Sequence, residues 1–357
     1  MKTLMVMAGG TGGHVYPALA VAEYMRNRGV RVVWLGTRAG LEARVIPEAG
    51  FDIFWMTIAG LRGKGLTRYL AMPFMLLRAI AQGIGIVRRE RPDALLGMGG
   101  FAAGPGAVSG WLLRRPLVIH EANARAGLTN RLLAPLARRV LCGFPETEGL
   151  GKNAEWTGNP IRQQFTSSRQ VNDARANEAA FNLLIIGGSL GARVFNRELP
   201  ACLQNLAVDG LINIRHQCGR GNLAEVRDAY DHRGIDAEVE EFIDDMGEAY
   251  AKADLVICRA GAMTVAEVCM AGVAAIFVPY PHAAGDHQRA NARYLADQGG
   301  ALLLDESDFN QGKLNPLITS LISNRAQLDE MASKAHELAR SDATETVASA
   351  CLEVMHA

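Results

Sequence analysis

The stretch that decides the fold is LMVMAGGTGGH, residues Leu4–His14 of a 357-residue chain. A short apolar run ends in a glycine-rich turn, and Val15–Arg28 then shows the pattern of an amphipathic helix that Gly29 ends. A strand, a glycine turn and a helix in this order direct backbone N–H groups and the positive end of the helix dipole towards an anion. A tight turn without a ligand is the alternative that one such loop leaves open.

The same pattern returns halfway along the chain. Asn182–Ala192, NLLIIGGSLGA, again runs from an apolar strand through paired glycines and a hydroxyl residue into a helix. Short apolar runs separated by helical segments are typical of parallel strands buried on both faces. Further strands are predicted at Val30–Leu35, Phe51–Ile58, Ala94–Gly99, Leu117–Glu121, Arg139–Cys142, Ile212–Gln217, Glu238–Phe242, Leu255–Cys258 and Ala274–Val278. The repeat predicts an α/β fold of two Rossmann-like domains whose parallel sheets face each other across a cleft.

A turn cluster at Thr157–Pro160 separates two halves of opposite charge. Residues 1–158 hold 20 Lys and Arg against 10 Asp and Glu, a net charge of +10, and the remaining residues hold 17 against 27, a net charge of −10. We predict one domain over 1–158 and a second over 159–340, with a C-terminal helix over about 341–357 that packs back on the first. The basic half suits an anionic partner, unless the two halves neutralise each other across an interface.

Residues 61–91 mix basic and apolar side chains. No acidic residue lies between Ile53 and Arg89, and six Lys and Arg residues alternate with a stripe of large apolar residues. Pro73, Arg78 and Gln82 argue against a membrane-spanning helix. The stripe is either the core face of domain helices or a surface that lies on an anionic bilayer, and we favour membrane contact. Nucleic acid is not an expected partner, because no binding motif accompanies the charge.

Cysteine usage and the amino terminus indicate the compartment. The six cysteines form no C-x-x-C pair and most lie in apolar segments, which predicts buried free thiols rather than disulfides or a metal site. The first apolar run is too short for a signal peptide, so a cytosolic location is expected. There is no D-x-D sequence and no carboxylate or histidine cluster with metal-ligand spacing, so neither a metal nor another cofactor is predicted.

Two segments of the second half carry groups expected of a nucleotide site. After the strand that ends at Cys258, a small-residue turn leads into a helix near Ala262, whose first N–H groups can bind a diphosphate without a metal. Glu267, one to two turns into this helix, is positioned to accept hydrogen bonds from a ribose, although a purely structural glutamate fits the pattern equally well. Asp286–Asn291 adds amide and basic groups at the same end of the sheet.

Two other motifs suggest different chemistry. Gly187–Gly191 fits the G-x-S-x-G nucleophile elbow of serine hydrolases, with Ser189 as the nucleophile. Candidate bases follow at His216, His232, His282 and His287. A hydrolase leaves the first glycine loop unexplained, and Ser189 stands where Thr11 stands in that loop. Gly97–Ala102 also gives a weak G-x-G-x-x-A dinucleotide match, with Glu121 as its ribose contact, but it lies well inside the domain. A membrane-associated binding protein without catalysis is a third alternative.

Eight motifs then occur in an order that resembles one known family. They are GGTGGH at residues 9–14, LRGKG at Leu61–Gly65, GMGGF at Gly97–Phe101, HEAN at His120–Asn123, TGNPIR at Thr157–Arg162, GGSLGA at Gly187–Ala192, EFIDDM at Glu241–Met246 and CRAGAMTVAE at Cys258–Glu267. In this order, and over essentially its whole length, the chain resembles the MurG family of GT-B glycosyltransferases.

The resemblance implies a two-domain GT-B fold and an activity. The activity is the inverting transfer of N-acetylglucosamine from UDP-GlcNAc to the 4-hydroxyl of the muramoyl sugar of lipid I, which gives lipid II for peptidoglycan synthesis. It also implies a peripheral position on the cytoplasmic face of the bacterial inner membrane, with an anionic membrane surface and other cell-wall synthesis proteins as partners.

Substrate-binding residues are carried over by matching motifs. They are Thr11, Gly12, Gly13, Asn123, Arg162, Ser189, Ile243, Ala262, Met263, Thr264, Val265, Ala266, Glu267 and Gln288. The resemblance implies that Ile243 lies against the uracil, that Glu267 binds the ribose, and that Ser189 with the first amides of the following helix holds the diphosphate. Ala122 and Leu190 stand where family members often carry glutamine, so no side-chain role is carried over to them.

His14 is the candidate general base. Inversion requires the acceptor hydroxyl to attack the anomeric carbon opposite the departing UDP, and an imidazole has a pKa near neutrality that suits a base. His14 stands at the end of the first glycine loop. We assign this loop to the acceptor side, because Ser189, Ala262–Glu267 and Gln288 account for most of the nucleotide. Binding of the acceptor diphosphate, or bracing of the loop, is the alternative role.

Overall fold

The protein is described from a computed structural model, which describes residues 1–58, 66–161 and 180–356. In the first half the elements are β1 (Thr3–Ala8), α1 (Gly12–Asn27), β2 (Arg31–Gly36), α2 (Glu42–Glu48), β3 (Asp52–Trp55), α3 (Leu66–Glu90), β4 (Ala94–Gly99), α4 (Ala103–Leu112), β5 (Leu117–Glu121), α5 (Leu128–Leu133), β6 (Arg139–Cys142) and β7 (Glu155–Trp156). In the second half they are β8 (Phe181–Ile186), α6 (Arg193–Cys202), α7 (Gln204–Val208), β9 (Ile212–Gln217), α8 (Leu223–Asp231), β10 (Ala237–Glu240), α9 (Met246–Lys252), β11 (Leu255–Cys258), α10 (Ala262–Ala271), β12 (Ala274–Phe277), α11 (His287–Ala296), β13 (Ala301–Leu303), α12 (Gln311–Ser323), α13 (Arg325–Glu337) and α14 (Ala343–His356).

The chain forms two units. Unit 1 comprises Met1–Arg162 together with Asp342–Ala357, and unit 2 comprises Gln163–Ser341. Two sequence predictions, the site residue Arg162 and the LRGKG motif at residues 61–65, lie outside the described residues.

Unit 1 is built on a parallel sheet with strand order β3-β2-β1-β4-β5-β6-β7. Side chains of β1 alternate between two cores: Leu4 and Val6 pack with α1 and α14 on one face, and Met5 and Met7 pack with α3 and α4 on the other. From β1 the chain continues to β2 on one side, whereas from β4 it continues to β5 on the other. The strand order therefore reverses between β1 and β4, and ligands of such sheets bind at this switch point.

The last helix belongs to the core of unit 1. Val347, Cys351 and Met355 of α14 are buried in the same cluster as Leu4 and Val6 of β1. Lys2 adds a hydrogen bond from its Nζ to the Met355 carbonyl at 2.7 Å. Unit 1 is thus completed by residues that follow unit 2 in the chain.

Unit 2 repeats the architecture with strand order β10-β9-β8-β11-β12-β13, all parallel. Phe181, Leu183 and Ile185 of β8 are buried against α6, α8 and α12. Its switch point lies between β8 and β11, since β8 is followed by β9 on one side and β11 by β12 on the other.

Most predicted elements have the predicted bounds within a residue or two, but two differ. The first helix begins at Gly12 rather than Val15, because the N–H groups of His14 and Val15 both bond the Thr11 carbonyl. The strand predicted over Phe51–Ile58 is confined to Asp52–Trp55, at the edge of the sheet where it has one neighbour.

Two composition-based expectations have clear outcomes. All six cysteines are free and buried, as predicted. Among the described residues no helix is long and apolar enough to cross a membrane, α3 with Pro73 included.

Candidate functional site

Three predicted segments of unit 1 meet at the carboxyl ends of neighbouring strands. Thr11–His14 follow β1, Gly99 ends β4, and Asn123 follows β5. The β1–β4 register shifts at the end of β1, so that Gly99 stands opposite Ala8. The His14 ring lies so close to Gly99 that a Cβ added to Gly99 would be 2.6 Å from His14 Cδ2. The candidate base and two glycine loops therefore share the switch point of this sheet.

The first glycine loop presents amide groups at the start of α1. Thr11 is the N-cap residue, with an extended backbone and no side-chain capping bond, and no acidic residue lies in the first turn. The N–H groups of Gly12 and Gly13 are first-turn donors that an α-helix leaves without an intrahelical acceptor. Together with the helix dipole they make a site suited to an anion.

The second glycine loop packs backbone to backbone on the first. Gly100 has φ +86°, and a Cβ added to it would lie 2.2 Å from the Gly9 carbonyl oxygen. Only glycine fits this position, for reasons of both φ and space. The two loops thus fix each other's position.

Asn123 is held by a buried carboxylate. Its backbone N–H and its Nδ2 donate to Glu121 Oε1 at 2.9 and 3.1 Å. The other Glu121 oxygen accepts from Gly127 N–H at 3.0 Å and Asn130 Nδ2 at 2.8 Å. Glu121 is 3% exposed, so it organises this loop and is not available to bind a ribose as the dinucleotide interpretation required.

The turn cluster at Thr157–Pro160 is anchored in unit 1. His120 Nε2 lies 2.9 Å from the Gly158 carbonyl oxygen, and Asn159 Nδ2 donates to the Ala122 carbonyl at 3.0 Å. Burial lowers the pKa of His120 below its usual value, so this imidazole is neutral and donates through Nε2. This segment is therefore buried and bonded to the residues next to the Asn123 loop, and it is not an exposed linker.

In unit 2 the predicted donor residues Ser189, Ala262–Glu267 and Gln288 lie beyond the carboxyl ends of β8, β11 and β12, which are adjacent strands, whereas Ile243 follows the edge strand β10. Ser189 is exposed in the turn after β8. α10 begins at Ala262 after the extended N-cap residue Gly261, which makes no side-chain capping bond. The first amides of α10 are therefore suited to a diphosphate, as those of α1 are to an anion in unit 1.

Two polar side chains of unit 2 are oriented by neighbours. The buried Tyr250 hydroxyl donates to Glu267 Oε2 at 3.4 Å, and Glu267 is half-buried in the second turn of α10. The Tyr280 N–H donates to Gln288 Oε1 at 2.8 Å, which leaves the Gln288 NH₂ group as the outward donor. Both groups thus have a defined direction before any ligand binds.

Some predicted contact residues have little exposed surface. The side chains of Ile243 and Val265 are 1% and 0% exposed, and that of Ala262 is 7% exposed. Contacts from these three residues to a ligand must therefore come chiefly from their backbone groups. Met263, Thr264 and Ala266 are partly exposed on the same helix.

The supporting contacts of the site were not predicted from the sequence, although Asn291 lies in the predicted segment Asp286–Asn291. Tyr250 lies within α9, and Asn291, which is buried within α11, donates from Nδ2 to the Ala260 carbonyl at 3.1 Å. Asn291 thereby fixes the turn before α10. Their roles depend on which helices are neighbours, which periodicity does not reveal.

Comparison with known proteins identifies the family. Residues 4–142 match the glycosyltransferase family 28 N-terminal domain and residues 182–347 match the family 28 C-terminal domain. The chain belongs to glycosyltransferase family 28. The prediction of two Rossmann-like domains is confirmed, and the fold of this family 28 glycosyltransferase is GT-B.

Its relatives are similar over their full length. A Halorhodospira halophila protein is 51% identical and a Nitrosococcus oceani protein 50% identical, covering 100% and 98% of this chain and 99% and 98% of the relatives. Both are named UDP-N-acetylglucosamine–N-acetylmuramyl-(pentapeptide) pyrophosphoryl-undecaprenol N-acetylglucosamine transferase. The crystal structure of Acinetobacter baumannii MurG matches with a TM-score of 0.85 and 41% identity, covering 99% of this chain and 100% of that chain. A Neisseria meningitidis UDP-GlcNAc 2-epimerase shares the fold at 13% identity, with a TM-score of 0.67 and coverage of 99% and 100%.

Two of the four candidate bases of the serine hydrolase alternative do not fit the structure of this family 28 glycosyltransferase. Burial lowers the pKa of His216 to about 3, and its Nδ1 lies 3.1 Å from the Tyr230 hydroxyl oxygen, so it cannot serve as a base near neutral pH. His232 follows α8, which returns to the amino-terminal edge of the sheet, opposite the edge that carries Ser189. Ser189 is better explained as a hydroxyl in an anion-binding turn.

Proposed function

We propose that this glycosyltransferase transfers N-acetylglucosamine from UDP-GlcNAc to the 4-hydroxyl of the muramoyl sugar of lipid I, with inversion, and so forms lipid II. The observation that carries the proposal is a complementary pair of sites. His14 lies at a switch point in unit 1, and the uncapped start of α10 with Glu267 lies at the switch point of unit 2. The printed names of the relatives, at about 50% identity over the full length, support the same substrates.

Unit 2 binds the donor. The first amides of α10 and the Ser189 hydroxyl hold the diphosphate, Glu267 accepts hydrogen bonds from the ribose, and the Gln288 NH₂ group donates to the donor sugar. The uracil contacts the backbone of Ile243, and Arg162, the last residue of the first segment of unit 1, contributes a positive charge. Amides, the helix dipole and arginine neutralise the leaving UDP, so that the reaction needs no divalent metal.

Unit 1 binds the acceptor and supplies the base. The 4-hydroxyl oxygen forms a bond to the anomeric carbon while the bond from that carbon to the UDP oxygen breaks, and the electron pair leaves with UDP. His14 takes the hydroxyl proton. The amides of Thr11–Gly13 contact the transferred sugar, Asn123 adds a polar contact beside them, and the acceptor diphosphate rests on the glycine loops of this basic unit.

The membrane surface of unit 1 extends over three neighbouring helices. Phe74 and Leu77 of α3 are 77% and 64% exposed, so these two side chains do not belong to a core face. Further exposed apolar residues are Trp111 and Leu112 of α4 and Leu128 and Leu132 of α5. α3 packs on α4, and α4 packs on α5. An apolar surface with basic neighbours favours peripheral attachment to the anionic cytoplasmic face of the inner membrane, where other cell-wall synthesis proteins are expected partners.

The decisive experiment is a transfer assay. The purified protein is incubated with UDP-GlcNAc and a lipid I analogue, with and without EDTA, and the disaccharide product is measured by mass spectrometry. Transfer that persists in EDTA is the expected result. Donor binding without transfer would instead indicate a binding protein, and covalent labelling of Ser189 by a fluorophosphonate would favour the hydrolase.

A further inference from the structure

A fully buried carboxylate lies directly behind the first glycine loop. Glu42 is the first residue of α2 and is 0% exposed. Within residues 1–58, 66–161 and 180–356 its carboxylate oxygens are held by neutral donors and form no ion pair. A buried charge of this kind is costly unless its hydrogen bonds are well formed, so its position calls for an explanation.

The carboxylate of Glu42 holds the glycine turn. Oε2 accepts a hydrogen bond from the Gly10 N–H at 2.8 Å. Oε1 accepts from the Thr37 N–H at 3.0 Å and from the Thr37 hydroxyl at 2.7 Å. In addition, the Leu41 N–H donates to the Gly10 carbonyl at 3.2 Å. Both backbone polar groups of Gly10 are thus bound by the segment that follows β2.

The surrounding backbone is shaped to admit this side chain. A Cβ added to Gly9 would lie 2.5 Å from Glu42 Oε1, and one added to Gly40 would lie 2.0 Å from Oε2. A Cβ added to Gly36 would lie 2.9 Å from Glu42 Cγ. Three glycines therefore leave the space that the carboxylate fills, and a larger residue at any of them would displace it.

Fixing Gly10 also determines which amides remain for a ligand. The Gly10 N–H is directed to Glu42, so the donors left on this loop are those at the start of α1, including Gly12 and Gly13. His14 belongs to the same turn. Hydrogen bonds to a carboxylate are about twice as strong as neutral ones, which suits a group that must hold a turn rigidly.

We infer that Glu42 is a positioning residue for the transfer reaction, which sets the direction of the Gly12–Gly13 amides and of His14 by holding Gly10. The inference rests on the proposed function, because it assigns this turn to the acceptor side of the reaction.

The test is Glu42→Gln with a matched control. Glutamine keeps the size but replaces one carboxylate oxygen by an NH₂ donor, so that either Gly10 or Thr37 loses its acceptor. Asp93→Asn also changes a carboxylate to an amide in unit 1, but at the amino-terminal ends of the strands. There the Thr3 N–H donates to Asp93 Oδ2 at 2.8 Å. Glu42→Asp retains the charge but withdraws the carboxylate from Gly10, and it is measured beside Glu42→Gln because a glutamine can still present its one oxygen to Gly10.

The measurements are kcat and KM for a lipid I analogue, the Kd for UDP by calorimetry, and the Tm. We expect kcat/KM for the acceptor to fall about 10- to 100-fold in Glu42→Gln, since a misplacement of about 1 Å has effects of this size, while the Kd for UDP stays within about twofold. Asp93→Asn should keep both constants within about twofold of the wild type even where its Tm falls. Acceptor kinetics equal to those of the wild type in both Glu42→Gln and Glu42→Asp, or an equal loss in Asp93→Asn, would overturn the inference.

A second measurement separates this inference from the proposed function. With ¹⁵N-glycine labelling, the Gly10 amide should move upfield and exchange faster in Glu42→Asp, which withdraws the acceptor from Gly10, in the absence of any substrate. If the wild-type protein transfers no sugar but substitution of Glu42 changes the Gly10 amide in this way, the proposed function is refuted. The contact between Glu42 and Gly10 then still stands. An unchanged Gly10 amide in Glu42→Asp refutes the contact between Glu42 and Gly10 itself.

Discussion

The contact between the two glycine loops of unit 1 leads to a strong expectation for Gly100→Ala. Gly100 has φ +86°, and the added Cβ would lie 2.2 Å from the Gly9 carbonyl oxygen. The backbone conformation alone costs about 1–2 kcal/mol for a residue other than glycine. In addition, the Gly9 carbonyl must move by about 1 Å to restore a normal contact, and a shift of this size at a catalytic turn can lower a rate by about 100-fold.

Gly29→Ala separates the two effects. Gly29 has φ +77° but no atom lies within 4 Å of its added Cβ, so this variant suffers the conformational cost without the clash. In both variants we expect the Tm to fall, by about 2–4 °C for each kcal/mol of lost stability in a unit of this size. Only Gly100→Ala should lose kcat with a lipid I analogue, by about 10- to 100-fold, with an unchanged Kd for UDP. Equal kcat values for the two variants would refute the argument that the loops position each other.

Four other expectations follow from the site and its surroundings. His14→Ala should lower kcat by about 100-fold or more with little change in the Kd for UDP, and the acidic limb of the pH–rate profile should disappear. Tyr250→Phe removes the hydroxyl 3.4 Å from Glu267 and should weaken UDP binding about two- to tenfold in calorimetry, the range for one hydrogen bond. The pKa of His216 is lowered to about 3, so between pH 6.5 and about pH 3 the unfolded state binds a proton that the folded state does not. The contribution of His216 to the free energy of unfolding should fall by about 1.4 kcal/mol for each unit by which the pH is lowered in this window, and it should stay constant above it. Leu77→Asp should reduce binding to anionic vesicles about tenfold or more while turnover of a soluble acceptor is retained.

Each of these expectations has an outcome that contradicts it. Unchanged turnover in His14→Ala leaves the histidine a role only in binding or bracing. If Tyr250→Phe binds UDP with wild-type affinity, the hydrogen bond from Tyr250 is not needed to orient Glu267 for binding. A pH dependence that persists in His216→Gln must arise from other groups. For the vesicle experiment Val208→Asp is the control, because Val208 is 58% exposed in unit 2, and an equal loss in both variants would point to general charge repulsion.

The fold was predictable because its signal is local and repeated. A parallel strand buried on both faces appears in the sequence as a continuous apolar run, and the bounds of Ala94–Gly99 and Leu255–Cys258 follow from that alone. Edge strands carry a weaker signal, and the strand predicted at Phe51–Ile58 was accordingly too long. The start of the first helix was placed late, because glycines are poor helix formers away from a first turn.

The site was predictable where a motif and a strand end coincide. Thr11–His14, Ser189 and Ala262–Glu267 each follow a buried strand, and parallel strands bring their carboxyl ends to one edge of a sheet. Glu42 gave no such signal. Its partner Gly10 is 32 residues away, and the bond is made by a backbone N–H, which every residue except proline carries. Side-chain burial at Ile243 and Val265 likewise depends on neighbours that spacing does not specify.

The place of α14 in unit 1 has a consequence for how the molecule is made. During synthesis the ribosome releases the strands of unit 1 first, and all of unit 2 follows before Val347 and Cys351 are available to cover β1. Domains fold largely as units while the chain emerges, so unit 2 can reach its native state while one face of the first sheet still lacks a helix. Chaperone binding and aggregation should therefore be concentrated in the period after the strands of unit 1 have emerged and before α14 packs on them.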